Sequence, residues 1–381
     1  MVLLGLNSGT SADSLDLAAV RIDRTREGFR ISVLDGSSRK YPPQLREAIL
    51  ALADNRNAGL DDTVRLDQAL GRFYGKAARD YMRRCANKGI RIDAVASHGQ
   101  TVRHLPEPVR FAGTTVRGTL QLGNPEQIAA ATGTVVVADF RQADVAVGNE
   151  GAPITTPAMV RMIGHETESR LVVNIGGMSN FFYLPAARLK RPALAEDCGP
   201  GNVLSDLSSS SLFGEPYDRG GRRALNGQIS RRLLALVEAE PFFGHRTVST
   251  GREAFGPKLL DRVAKQGKRL KLSLEDVHAS VAEVTPLVIA HRVNWLRERD
   301  RALNKLYLTG GGSRNRFFVQ RLKALLAGIT VATVAELGFD PDLVEAVAYA
   351  VLGEATLRSE GVSTLGRGAK PVLGRIVQPP A

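Results

Sequence analysis

The chain has 381 residues, 43% of them hydrophobic and 24% charged, which is the make-up of a soluble globular protein with apolar content for two domains or one large two-lobed body. Its 51 basic and 39 acidic residues leave a net charge of +12, but the basic residues are scattered through stretches such as "YMRRCANKGIR", "KQGKRLK" and "RERDRALNK". These read as solvated helix faces without an RNA-binding signature or helix-turn-helix, so the surplus suits anionic small molecules better than nucleic acid. There is no apolar run of 18 residues, no basic region ahead of the first apolar run, and only two cysteines, Cys85 and Cys198, too few for a disulfide framework or a metal set. A cytoplasmic protein with no membrane partner is expected.

In chain order, "VLLGL" (2–6) reads as a buried strand and "LDLAAVRI" (15–22) as a second. Between them, Ser8-Gly9-Thr10-Ser11 is either an ordinary hairpin turn or a concavity of backbone N–H groups and hydroxyls suited to phosphate. It matches neither GxxxxGK[ST] nor GxGxxG. Strands "FRISVLD" (29–35), "IDAVASH" (92–98), "TLQLG" (119–123) and "TVVVADF" (134–140) follow, with helical patterns at 42–56 and 61–87. The Gly/Pro-marked stretch "VGNEGAPITTP" (147–157) sets the expected boundary between an α/β lobe at 1–150 and a second at 151–381, the last helix being free to pack back on the first lobe. The second part carries strands "LVVNIGG" (171–177), "NFFYLP" (180–185), "KLYLTGGG" (305–312) and "ITVATV" (329–334). Its helical patterns are 202–213, 226–240, 274–299, 314–327 and 341–359. Alternating strands and helices predict α/β layers with mixed sheets.

Each half opens with strand, small-residue turn, strand: "GLNSGTSADSLDLAAV" and "VVNIGGMSNFFYLP". Two such turns facing each other across a cleft would hold a triphosphate from both sides. A third cluster, "LTGGGSRN" (308–315), is either a tight loop or a flat platform for an adenosine ring. There Ser313 is expected to cap the helix that follows.

These stretches, with "SHGQTVRHLP", "LQLGNPEQIA", "VVADFRQADVAVGNEGAP", "DCGPGNVLSD", "STGREAF" and "VEAVAYAVL", run from residue 5 to about 352. They resemble the anhydro-N-acetylmuramic acid kinases, within the sugar kinase, Hsp70 and actin superfamily. The resemblance implies a two-lobed actin-like ATPase fold (a duplicated ribonuclease H-like fold) with a central cleft. It also implies ATP and Mg²⁺ as cofactors, and a homodimer as a possible assembly. The implied reaction opens 1,6-anhydro-N-acetylmuramic acid with water and phosphorylates O6, in cell-wall recycling. Carried over residue by residue, the nucleotide would meet Gly9, Thr10, Ser11, Ala12, Asp13, Ser14, Leu15 and Asp16 in the first turn. Asn174, Gly176 and Gly177 would serve in the second, and Gly310, Gly311, Gly312 and Asn315 in the third. Asp197 would be the catalytic base, with an N-terminal helix cap as its structural alternative. His98, Gln100, Arg141, Glu150, Asn202 and Glu345 would face the sugar, with His104 in the same set as His98. Arg141 would meet the lactyl carboxylate or pair with a neighbouring Asp139 or Asp144. The lone Trp295 reads as packing. No metal ligand is identified.

Three positions depart from the family pattern. Ser14 stands where a glycine is usual, which is costly if that position needs positive φ. Glu150 replaces a neutral amide, keeping a neutral anhydro sugar such as 1,6-anhydroglucose, or a weakened regulatory relative, in view. Cys198 replaces a threonine and is a poor hydrogen-bond donor.

Overall fold

The computed structural model describes every residue except Glu27, 57–58, 240–256 and 365–367, so the "STGREAF" stretch and the end of the 226–240 helical pattern lie outside the described residues. The chain forms two compact units: Met1–Met162 with Leu343–Ala381, and Ile163–Asp342.

The first unit is built on a sheet of β1 (Val2–Ser8), β2 (Ser14–Thr25), β3 (Gly28–Lys40), β4 (Ala94–Phe111), β5 (Thr114–Leu122), β6 (Val136–Ala138) and β12 (Arg375–Val377). Its order is β12-β6-β4-β1-β2-β3, with β5 hung on β4. The hairpins β1–β2 and β2–β3 are antiparallel, whereas β4 runs parallel to β1 and β6 parallel to β4. The apolar run at β1 takes the central place because both its faces are covered. On one side lie α1 (Pro43–Ala53), α2 (Leu60–Asn87) and α3 (Pro125–Thr132), with Leu4, Leu6, Leu70, Tyr74, Ala78 and Val95 in one core. On the other lies α13 (Val344–Leu357), apolar all round and buried along nearly its whole length. It packs so closely that a Cβ on Gly5 would stand 1.8 Å from the Ala346 carbonyl oxygen.

The first unit closes at Met162 instead of at 150 and regains 343–381. Charge pairing accounts for the extension. Arg161, on α5 (Thr156–Ile163), pairs with Glu360 and lies 3.8 Å from buried Glu354 on α13. Arg24 at the end of β2 binds the same Glu354 through two bonds of 2.9 and 3.0 Å.

The second unit has the sheet order β11-β10-β7-β8-β9. Its strands are β7 (Ser169–Ile175), β8 (Met178–Leu184), β9 (Leu194–Pro200), β10 (Leu303–Thr309) and β11 (Thr330–Thr333). Its core holds Leu171, Val173, Phe181, Leu204, Ile289, Leu306 and Phe318. The helical pattern at 274–299 divides into Leu274–Ala282 and Val284–Arg299 around Glu283, a buried carboxylate held by the Arg321 guanidinium at 2.8 and 2.7 Å. The β9 strand, absent from the sequence reading, is short of β-branched residues and joins the sheet by pairing with β8.

Both units therefore repeat one topology. Three antiparallel strands in the order three-two-one are followed by two parallel ones beyond the first. This is the duplicated ribonuclease H-like arrangement of actin-like ATPases. Among the described residues no helix is long and apolar enough to cross a membrane.

Candidate active site

In the second unit, one row of directly paired polar residues crosses four strands: Thr309 of β10, Asn174 of β7, Asn180 of β8 and Asp197 of β9. Paired residues share a sheet face, so Asp197 stands at the end of this row. The register slips there, Ser179 facing Gly199 while Asn180 faces Asp197, which makes Cys198 the extra residue of a β-bulge. Bulges of this kind re-aim neighbouring side chains. Cys198 is buried, and burial pushes its thiol pKa far up, so the sulfur stays neutral. Asp197 is half-buried. The helix-cap alternative falls away: the N-cap of α6 (Asn202–Phe213) is Gly201, and no side chain caps it.

The β7–β8 turn at Gly176-Gly177 is tied to the start of α6. Asn202 N–H reaches the Gly176 carbonyl at 2.8 Å, and Gly201 N–H the Gly177 carbonyl at 2.9 Å. The Asn202 side-chain amide also donates to Gly176 (2.9 Å) and Ile175 (3.1 Å). A Cβ on Gly201 would stand 2.3 Å from the Gly176 oxygen, so only glycine permits this join. The third turn approaches the same place. Gly310 has φ of +75°, and a Cβ there would lie 2.3 Å from the Asn174 side-chain oxygen. A Cβ on Gly312 would lie 2.2 Å from Ile175. Asn174, Gly176, Gly310, Gly312 and Asn202 are thus neighbours. The helix cap falls on Asn315 instead of Ser313: Asn315 Oδ1 accepts from the amides of Phe317 (3.0 Å) and Phe318 (3.3 Å) on α12 (Arg316–Leu325), while the Ser313 hydroxyl donates to the Gly310 carbonyl at 2.7 Å.

In the first unit, the turn after β1 holds Gly9, Thr10, Ser11, Ala12 and Asp13. Its left-handed residue is Ala12, with φ of +50°, and Ala12 N–H closes on the Gly9 carbonyl at 3.1 Å. Ser14 opens the extended strand β2 and is not among the residues of positive φ, so the missing glycine costs no backbone strain there. Leu15 is buried, and Asp16 accepts from the Ser38 and Ser14 hydroxyls at 2.6 and 3.2 Å. Asp13 is exposed and pairs with Arg46 at 3.0 Å. Asp16 pairs across β1–β2 with Asn7. Asn7 stands two residues before Gly9 as Asn174 does before Gly176, each on the central strand of its sheet.

Asn7 leads to a second polar group within this unit. Its amide donates to Glu345 Oε2 at 2.8 Å. Desolvation raises the Glu345 pKa, opposed by Asn7 and by the charge of Arg141. Arg141 donates to His98 Nε2 at 3.0 Å and to the Gly151 carbonyl at 3.0 Å. The His98 ring stacks on Tyr349 at 4.5 Å. Burial, then Arg141, hold His98 well below the usual histidine range, and the same causes lower His104. Neutral His98 accepting at Nε2 carries its proton on Nδ1. The alternative of an Arg141–Asp pair falls away, because Asp139 binds Arg375 while Asp144 accepts from Asn149, Gly151 and Thr364. Glu150 is exposed beside this loop. Gln100 is buried, with its oxygen accepting from Ser8 at 2.6 Å and its nitrogen donating to the Gly9 carbonyl at 3.2 Å. Sequence reading missed Asn7, Asn180 and Tyr349. The two asparagines follow apolar or small residues inside strand patterns, and a buried polar residue next to a glycine turn is the signal that marks Asn7.

The sequence model of one protein family, described as anhydro-N-acetylmuramic acid kinase, matches residues 1–377. A Variovorax paradoxus protein named anhydro-N-acetylmuramic acid kinase is 38% identical over 381 residues, 98% of this chain and 98% of its own. One of the same name from Coxiella burnetii is 34% identical over 377 residues, 98% of this chain and 96% of its own. Among solved structures, the activator of 2-hydroxyisocaproyl-CoA dehydratase from Clostridium difficile is similar with a TM-score of 0.43 and 12% identity, covering 96% of this chain and 100% of its own.

Proposed function

The chain belongs to the anhydro-N-acetylmuramic acid kinase family, and from that premise we propose that it opens 1,6-anhydro-N-acetylmuramic acid and phosphorylates O6 with ATP, in peptidoglycan recycling in the cytoplasm. Water adds at C1 and passes a proton to Asp197. The C1–O6 bond breaks, O6 takes the γ-phosphoryl group, and ADP leaves. The products are N-acetylmuramic acid 6-phosphate and ADP, and the proton taken by Asp197 is released to solvent. The observation that carries the role of Asp197 is its place at the end of the Thr309–Asn174–Asn180–Asp197 row, next to the bulge at Cys198.

The nucleotide role of the second unit is supported by the closeness of the Gly176 turn, the Gly310–Gly312 turn and Asn174. Asn202 then acts by holding the second turn, and Asn315 by capping the helix behind the third. In the first unit, Gly9 to Asp13 supply the phosphate turn. Arg141, with no carboxylate partner among the described residues, suits the lactyl carboxylate as a bidentate fork. Glu345, its pKa raised, suits a hydrogen bond to a sugar hydroxyl. Among the described residues no group of three or more His, Cys, Asp and Glu stands together as a metal site. Mg²⁺ would be held mainly by the nucleotide phosphates, with Asp16, on β2 just after the first turn, as a hard oxygen donor. The ion would neutralise phosphate charge. A different anhydro sugar is not favoured, since the relatives named above share one name over nearly the whole chain.

The test is ATP-dependent formation of the 6-phosphate from 1,6-anhydro-N-acetylmuramic acid, with Asp197→Asn beside it. The wild type is expected to turn over, and the variant to lose roughly 10²- to 10⁴-fold in kcat. No product from the wild type would remove the reading; equal rates would remove Asp197 as base.

A further inference from the structure

The basic run at the end of α2, which reads in the sequence as a solvated face, divides in two. Lys88 lies 2.7 Å from one oxygen of Asp35, and Arg84 lies 3.9 Å from the other. Arg79 and Arg83, four residues apart and hence on one helix face, point elsewhere. With Arg91, just past the helix end, they line an open cleft of about 670 Å³ whose wall also includes the last residues of α3. Its remaining wall includes Met82, Ile90 and Ile92, and no carboxylate lines it. Among the described residues none of the three arginines has an ion-pair partner, and Arg79 Nε is buried without a hydrogen-bond acceptor.

Three guanidinium groups without counter-charges repel one another, and an anion that bridges them removes that cost. A phosphate offers several oxygens to planar N–H forks. The volume lies within the range of small-molecule pockets, about 300–1,000 Å³, and exceeds what a bare phosphate needs. The apolar wall would cover an organic body. We propose that this cleft is a binding site for a phosphate monoester with a sugar-sized body, separate from the residues assigned to catalysis. It stands on the first unit alone and does not depend on the kinase reading.

The test is isothermal titration calorimetry of the full chain with glucose 6-phosphate, inorganic phosphate and glucose. Wild-type protein is expected to bind glucose 6-phosphate more tightly than inorganic phosphate, and glucose not at all. Arg83→Gln with Arg91→Gln, both on exposed residues that the fold does not need, should weaken binding at least about tenfold. Arg79→Lys keeps the charge but loses the fork and should weaken it several-fold. Arg84→Gln, which removes the farther of the two basic neighbours of Asp35, should leave it unchanged. The proposal is overturned if glucose 6-phosphate gives no binding at about 1 mM, or if the Arg83/Arg91 variant binds as the wild type does. It is also overturned if inorganic phosphate binds equally well, which would mean an anion site only.

Discussion

Gln100 has a polar partner at each end of its amide, Ser8 on one side and the Gly9 carbonyl on the other, and Ser8 in turn accepts from Tyr41, which meets Tyr74 at 2.7 Å. All four side chains are buried, so the first turn is held by a buried hydrogen-bond network. Gln100→Leu leaves the Ser8 hydroxyl proton without its acceptor and takes one of two donors from the Gly9 carbonyl, which keeps the Ala12 N–H, and should cost about 1–3 kcal/mol in urea unfolding. It should also raise the KM for ATP. An unchanged midpoint and KM would remove this role. His98 gives a pH effect of known sign. Its unfolded ring protonates near 6.5, while the folded ring resists until lower pH. Below about 6.5 the unfolded state therefore holds more protons, and stability falls as pH drops. His98→Gln can still accept from Arg141, and thermal melts between about pH 6.5 and 5 should show a shallower slope than wild type. His104 acts in the same sense, so the slope should not vanish. Equal slopes would sink the assignment. At this scale the three turns were legible as turns, because small residues between apolar runs stand out, whereas Asp197 was singled out by the family resemblance and not by its local pattern. The partners of the turn residues were not legible: that Gln100 serves Ser8 depends on β1 and β4 lying side by side, 92 positions apart in the chain.

The contact between β1 and α13 shows what an element demands of one residue. The helix lies over the sheet at backbone distance, and a methyl group at residue 5 would meet the Ala346 carbonyl at 1.8 Å. Gly5→Ala must push α13 off the sheet, and an overpacking cost near the upper end of the usual range, about 3 kcal/mol, is expected in chemical denaturation. A variant as stable as wild type would show that the helix can shift freely. The same helix carries Glu345 at its first turn and buried Glu354 near its end, so its displacement would also disturb the Asn7–Glu345 bond. Long apolar or strictly periodic elements were readable in advance. The short strand β12 was not, because three residues gain their strand character only from pairing with Val136–Ala138. The β9 strand escaped for a related reason: "LAEDCGP" is a poor strand former that takes its shape from β8.

Across the whole molecule, continuity of the chain differs between the units. Residues 163–342 are contiguous and have their own core. The first unit needs two separate segments, since α13 and β12 come from 343–381. A fragment of residues 163–342 should unfold cooperatively on its own. A fragment of residues 1–162 should fail to do so until a 343–381 peptide is supplied, as followed by circular dichroism. Cooperative unfolding of 1–162 alone would overturn this. That the two halves share a plan was visible in the sequence from their matching strand-turn-strand openings; that the tail completes the first half was only partly so, because burial of an apolar helix does not say which sheet it buries against.

The discontinuity also sets an order of maturation on the ribosome. Synthesis runs at roughly 5–20 residues per second, and domains fold as units once their residues have emerged. The half made first cannot finish until residues 343–381 leave the exit tunnel. The half made second is complete beforehand. Nascent β1, apolar on both faces, therefore waits through most of translation with its α13 side uncovered. Slow translation would lengthen that exposure, and it is the N-terminal half that a chaperone would have to shield.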